Sequence, residues 1–275
     1  MTSTTLKNAL GGGDQTTVTA YDARNRVISV TDPEGNTAYT AYDANGNTAS
    51  KTAAGVTRTC HYDRDNRLIR VSEGEGDEEI FTAVYDYRSR RLEKTENGDT
   101  VSYLYDGGVS VQEYDAEGSL KTYLVRAGGY GGGIGDVVYT ENADGTGREY
   151  FLYNATGTTS ALTDDDGAVT STSCCTAWGI ETATVGTSEN VRKFSTKERS
   201  ELLGIDYFGF RCYDPDLGRF LTRDPSGYPD GPNNYLYCMN SPVNKIDPLG
   251  LASRRWEDEL LQKQREGLAL SLIHI

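Results

Sequence analysis

Short stretches of strict apolar–polar alternation, separated by turn residues, run through most of the chain. Val101-Ser-Tyr103-Leu-Tyr105 places Val101, Tyr103 and Tyr105 on one face of an extended strand. Tyr150-Phe-Leu-Tyr153 is also strand-like, with both faces apolar. Between such stretches stand Asn45-Gly46, Asn97-Gly98, Asp106-Gly107, Asp144-Gly145 and Asp166-Gly167, pairs that tolerate the positive φ of tight hairpins. The pattern predicts antiparallel hairpins. It changes after Leu251, where Ser253-Arg-Arg-Trp256-Glu-Asp-Glu-Leu-Leu-Gln-Lys-Gln-Arg265 has no Gly or Pro and reads as a helix with Ser253 as its N-cap.

The hairpins repeat. Tyr-Asp recurs at Tyr21-Asp22, Tyr42-Asp43, Tyr62-Asp63, Tyr85-Asp86 and Tyr105-Asp106, in steps of 21, 20, 23 and 20 residues, and Tyr114-Asp115 repeats it off that spacing. Each unit runs Tyr-Asp, short turn, strand, second turn, strand. Two short strands cannot bury their own face, so the units must stack into an array. Composition agrees, with 19 Tyr, 31 Gly and only 7 Pro.

The formal charge is −14, from 41 acids against 27 bases. It argues against a nucleic-acid or anionic-membrane surface, which needs clustered Lys and Arg. No apolar run is long enough to span a bilayer. Met1-Thr-Ser-Thr-Thr lacks the regions of a signal peptide, so export would need a signal outside this sequence or a dedicated machine. Cys60, Cys174, Cys175, Cys212 and Cys238 are odd in number and irregular in spacing, which signals neither a disulfide framework nor a zinc site. No cofactor and no metal are expected. Gly128–Gly135 lacks the spacing of a phosphate-binding loop and reads as a flexible excursion between strands. Asp63-Arg-Asp65 and Asp164-Asp-Asp-Gly167 lack the closing Glu of a calcium loop and read as acidic hairpin tips. His61, at a repeat start, belongs to no metal or triad spacing.

Two Asp-Pro-x-Gly-apolar units, Asp224–Tyr228 and Asp247–Leu251, lie 18 residues apart. Taken singly, each is a turn sequence. Taken as a pair they suggest an aspartyl dyad. Carboxylates close together do not both ionise readily, so one keeps its proton and polarises a carbonyl while the other activates water. Arg219 and Arg223 flank the first aspartate as possible support, as catalytic aids or as salt-bridge partners. Asp214, also before a proline, reads as structural.

The Tyr-Asp units over roughly residues 18–160 resemble the YD repeats of RHS (rearrangement hotspot) proteins. The block from Tyr207 to Leu251 is similar to the RHS repeat-associated core along its whole length. The resemblance implies a mostly β fold in which YD hairpins form part of a spiral shell closed by a core plug, with a short C-terminal helix. It divides the chain into a repeat array at 1–160, a core at 161–251 and the start of a variable region at 252–275.

The same resemblance implies autoproteolysis. In cores of the pattern DP-x-G-W-x18-DP-x-G-L the two aspartates cut the chain after the final Leu. Asp224 and Asp247 carry over as the dyad, and Leu251–Ala252 as the scissile bond. Tyr228 stands where that pattern has Trp. It further implies a C-terminal toxin domain in cis, with an immunity protein and a secretion-machine component as partners, and a secreted or surface-displayed parent. The alternative is a structural or adhesive YD-repeat protein of the cell surface that does not cleave. Residues 252–275 are too few to fold alone as a toxin. Leu270-Ser-Leu-Ile-His-Ile275 matches a reading frame of a transposase mosaic-end adapter and is expected to be a cloning scar, with a genuine apolar terminus as the alternative.

Overall fold

A computed structural model describes residues 2–6 and 15–265. Met1 and Leu270–Ile275, including the expected scar, lie outside the described residues. Among the described residues the fold is almost wholly antiparallel β, with one short α-helix at Trp256–Arg265. The chain forms two compact units, Met1–Thr82 and Ala83–Ile275.

In the first unit each strand pairs with the next. Gln15–Tyr21, Val27–Thr31, Thr37–Tyr42, Thr48–Ala53, Val56–Tyr62 and Leu68–Glu73 follow one another as a meander. Its side chains explain why Tyr-Asp recurs. Asp22 Oδ1 accepts the backbone N–H groups of Arg24 and Arg26, both at 2.9 Å, and so builds the turn. Asn25 takes a φ of 59° inside it, and Arg26 closes an ion pair to Asp22 at 2.6 Å. Asp63 does the same with Asp65, Arg67 and Asn66. The tyrosine looks the other way, to the preceding unit. The Tyr42 hydroxyl donates to Val27 O at 2.8 Å and the Tyr62 hydroxyl to Thr48 O at 2.9 Å. Thus Asp makes the turn while Tyr stitches units together.

These turns differ from the expected tight pairs. In Asn45-Gly46 and Asp144-Gly145 only the glycine has positive φ, at 92° and 77°. The pairing register shifts beside Tyr42, as in a longer loop with a bulge. Asn97-Gly98, with φ of 51° and 88°, is a true two-residue turn. His61 is half-buried and sits 2.8 Å from an Arg70 nitrogen.

The second unit continues the device. Asp86 pairs with Arg90 at 2.7 Å, and the Tyr105 and Tyr153 hydroxyls donate to Arg91 O and Val137 O at 2.8 and 2.7 Å. Its strands from Arg91–Glu96 to Glu181–Gly186 form one antiparallel run. Leu124, Val137, Phe151, Tyr153 and Leu162 cluster on one side of it.

A four-stranded sheet follows, of Glu198–Ser200, Ile205–Tyr207, Cys212–Asp214 and Arg219–Phe220. It surrounds an aromatic core of Phe194, Phe208, Tyr213, Phe220 and Tyr237. Tyr213 and Tyr237 ring centroids are 4.6 Å apart, and Phe208 meets Phe220 edge-on at 5.7 Å. Glu198 bolts this core to the hairpins. It lies 2.8 Å from both Arg91 and Lys94, 3.6 Å from Arg192, and accepts the Tyr103 hydroxyl at 2.7 Å. Burial raises its pKa, but the three cations outweigh burial and hold it well below the usual carboxylate range.

Two expectations are corrected. Gly128–Gly135 is a packed segment: Tyr130 and Ile134 are fully buried, in one cluster with Ile246. Its glycines admit close backbone approach, since a Cβ on Gly132 would collide with the Pro248 carbonyl. Ser253 does not cap the helix. Arg254–Arg255 first pair with Lys245–Ile246, and the helix starts at Trp256 with Glu257, Asp258 and Glu259 in its first turn.

Candidate active site

Arg211 enters the strand Cys212–Asp214 from a run of aromatic residues, and its guanidinium lies 3.7 Å over the Phe220 ring. It is 3% exposed. A guanidinium so deep requires anionic or carbonyl partners, and these come from both Asp-Pro turns. Arg211 Nη2 is 2.8 Å from Asp224 Oδ2 and 3.5 Å from Asp247 Oδ2. The two carboxylates therefore lie within the combined length of those contacts of each other. Arg211 Nε donates to Gly250 O, and Nη1 to Asn234 O at 2.9 Å.

Each aspartate spends its other oxygen on its own turn. Asp224 Oδ1 accepts Ser226 N–H at 2.8 Å and the Ser226 hydroxyl. Asp247 Oδ1 accepts Gly250 N–H at 2.8 Å and Leu251 N–H at 3.0 Å. The turn reading and the paired reading of the sequence thus describe the same two side chains.

The segment from Pro248 to Gly250 is gripped at successive carbonyls. Lys197 Nζ donates to Pro248 O at 2.7 Å, Phe210 N–H to Leu249 O at 3.1 Å, and Arg211 to Gly250 O. Leu251 O has only a looser contact among the described hydrogen bonds, 3.4 Å from the Ser226 hydroxyl. Past the Leu251–Ala252 bond, Ser253 N–H donates to the Asp230 carboxylate at 3.0 and 3.2 Å. The bond is held on both sides, and its carbonyl faces a hydroxyl already linked to Asp224.

Burial is the largest influence on Asp247 and raises its pKa, against the pull of Arg211, the two amides and Lys197. The same burial draws Arg211 down from the usual arginine range, while Asp224 and Asp247 push it back.

The expected support residues lie elsewhere. Arg223 is exposed, and among the described ion pairs and hydrogen bonds neither Arg219 nor Arg223 reaches either carboxylate. Arg219 pairs by its backbone with Asp214 and Leu236. Arg211 holds the place that sequence adjacency gave to them. Its signal was a lone charge among Phe208, Phe210, Cys212 and Tyr213, a setting that demands a buried partner. Ser226, Asp230 and Lys197 carried no such mark. Tyr228, where the core pattern has Trp, is 64% exposed.

No family model matches the chain. It is 31% identical over 257 residues to the tRNA3(Ser)-specific nuclease WapA of Bacillus spizizenii, which covers 90% of this chain and 10% of that protein. It is 27% identical over 246 residues to the probable deoxyribonuclease RhsB of Dickeya dadantii, covering 76% of this chain and 16% of that one. The chain is an RHS-repeat protein. It spans about a tenth of the length of the first of these relatives. A solved structure, TcdB2-TccC3 without hypervariable C-terminal region, superposes on 86% of this RHS-repeat chain and 15% of its own, with TM-score 0.57 at 19% identity, and shows the shared β fold.

Proposed function

We propose that this RHS-repeat chain is a single-turnover peptidase acting on itself. The Asp224–Asp247 pair hydrolyses the Leu251–Ala252 bond and separates a repeat array (1–160) and core (161–251) from the region beginning at 252. The observation that carries this reading is the convergence of both carboxylates on Arg211 beside a carbonyl, Leu251 O, that the surrounding grip leaves loosely held.

Asp224 holds the Ser226 hydroxyl, which lies 3.4 Å from Leu251 O, so Ser226 is placed to polarise that carbonyl. Asp247, buried beside the Leu251 amide, is placed to take the proton of an attacking water. Water adds to the Leu251 carbonyl carbon, and the C–N bond then breaks. The Ala252 nitrogen leaves with a proton from the pair, leaving a Leu251 carboxyl group. No cofactor or metal enters the step.

A tRNA nuclease and a probable deoxyribonuclease are both similar to this one stretch. Two different substrates with a common region favour a region that serves whatever effector is attached, and its net charge of −14 does not suit nucleic acid. On this reading the parent carries a C-terminal toxin in cis, is secreted or surface-displayed, and meets an immunity protein and a secretion-machine component. No helix among the described residues is long and apolar enough to cross a membrane.

The competing reading is a non-cleaving structural or adhesive YD-repeat protein. It draws on the fact that both aspartates already cap their own turns. Intact mass decides. Wild type should lose the residues after Leu251, while Asp224→Asn and Asp247→Asn stay whole. A folded wild type that stays whole would favour the structural reading.

A further inference from the structure

We propose that Lys197 is a positioning residue for this cleavage, clamping the Asp247–Leu251 turn between the core and the glycine-rich segment; the assignment rests on the self-cleavage reading. Lys197 is 5% exposed. Its ammonium donates to Pro248 O at 2.7 Å and to Gly132 O, with the Phe208 ring 5.3 Å away. One side chain thus joins the backbone just after Asp247 to the segment 128–135. The joint is tight on its other side as well, because any side chain at Gly132 would collide with Pro248.

Lys197 is itself fixed. Thr196 Oγ1 donates to Gly157 O at 2.7 Å and accepts Gly135 N–H at 2.8 Å, so the glycine segment and the Lys197 backbone are tied together next door. The clamp holds the Pro248 carbonyl of the turn, Arg211 the Gly250 carbonyl, and the Asp247 carboxylate its last two amides. With Pro248 O released, the turn would keep its own Asp247 bonds but lose its register against the core, and with it the place of Leu251 O beside Ser226. Asp136 and Asp247 face Lys197 and favour its charge. Arg126 and Arg192 oppose it, and burial, the largest influence, brings it down to about 7. The charge acts in return on Asp247, favouring the carboxylate.

The test follows cleavage of the full chain by intact mass after dilution from urea, over a range of pH. Lys197→Met should slow the cut about a hundredfold, the usual cost of a small misplacement at a reacting bond. It should also move the acidic limb of the pH–rate profile to higher pH, because Asp247 loses a neighbouring cation. Lys197→Arg should return that limb toward its wild-type position. Gly132→Ala breaks the same joint from the opposite side and serves if the methionine variant does not fold. For Lys197→Met, a wild-type rate, or a slow cut with an unmoved limb, overturns the assignment; for Gly132→Ala, which keeps the cation, a wild-type rate does. A second readout separates it from the self-cleavage reading. In the Asp224→Asn chain, Lys197→Met should speed amide hydrogen exchange at Gly250 and Leu251 whether or not the wild type cuts. Unchanged exchange there overturns the clamp, whereas a wild type that never cuts overturns only the reading it serves.

Discussion

Arg211→Met removes the side chain that contacts both carboxylates and leaves Asp224, 8% exposed, and Asp247, fully buried, without it. Breaking a buried ion pair from one side costs about 3–5 kcal/mol, most of it the penalty of stranding the remaining charge. The carbonyls of Gly250 and Asn234 lose a donor as well. The variant can relieve part of the penalty by protonating Asp247, which fixes the sign of its pH dependence. Burial already raises the Asp247 pKa above the unfolded value of 3.8, and losing the opposing pull of Arg211 raises it further. The protonated folded state is then favoured, and stability falls as pH rises from the unfolded value through the raised folded one. Adding Asp224→Asn and Asp247→Asn removes the charges, and at neutral pH should return about 3–5 kcal/mol to the methionine variant. Urea unfolding at acid and neutral pH measures both effects on uncut chains. The reasoning is refuted if the single variant is equally stable at the two pH values, or if the asparagines return nothing.

Three further outcomes follow from the same structure. Tyr153→Phe removes a donor to Val137 O in the interior and should cost about 1–3 kcal/mol in thermal unfolding, while Tyr42→Phe, half-buried, should cost about 0.5–1.5. Gly157→Ala must accept a φ of +74° and a collision with Ile134, and should destabilise by about 1–3 kcal/mol as the buried glycine segment is pushed aside. Asp206 is fully buried, and burial lifts its pKa to about 8 against the pull of Arg199 at 3.4 Å. Its stabilising proton is present below the unfolded pKa of 3.8 and lost as pH rises through about 8, so Asp206→Asn should flatten the decline of melting temperature across that window.

The repeat array was legible because its chemistry is local. Asp22 bonds residues two and four positions on, and the tyrosine of each unit reaches back by about one unit, so Tyr-Asp spacing carries the structure directly. The turn type is less legible, since a pair such as Asn45-Gly46 does not reveal whether one or both residues take positive φ. Asp224 and Asp247 were found by their matching Asp-Pro turns, and the fold brings them to one guanidinium. Arg219 and Arg223 are near Asp224 in sequence, whereas charge pairing follows nearness in space and selects Arg211. Lys197 and Asp230 act on the backbone of distant residues, which no side-chain pattern records. The packing of Gly128–Gly135 is hidden for a related reason: its glycines lie against Pro248 and Asp136, and a glycine looks the same in a crowded joint as in a loose loop.

The most direct test of the account is mass spectrometry of the two fragments formed when the wild-type chain folds in ¹⁸O-labelled water. The account predicts a new N-terminus at Ala252 and one heavy oxygen in the Leu251 carboxyl group. A chain that folds and stays whole, or one cut at an Asp-Pro bond instead, would contradict it.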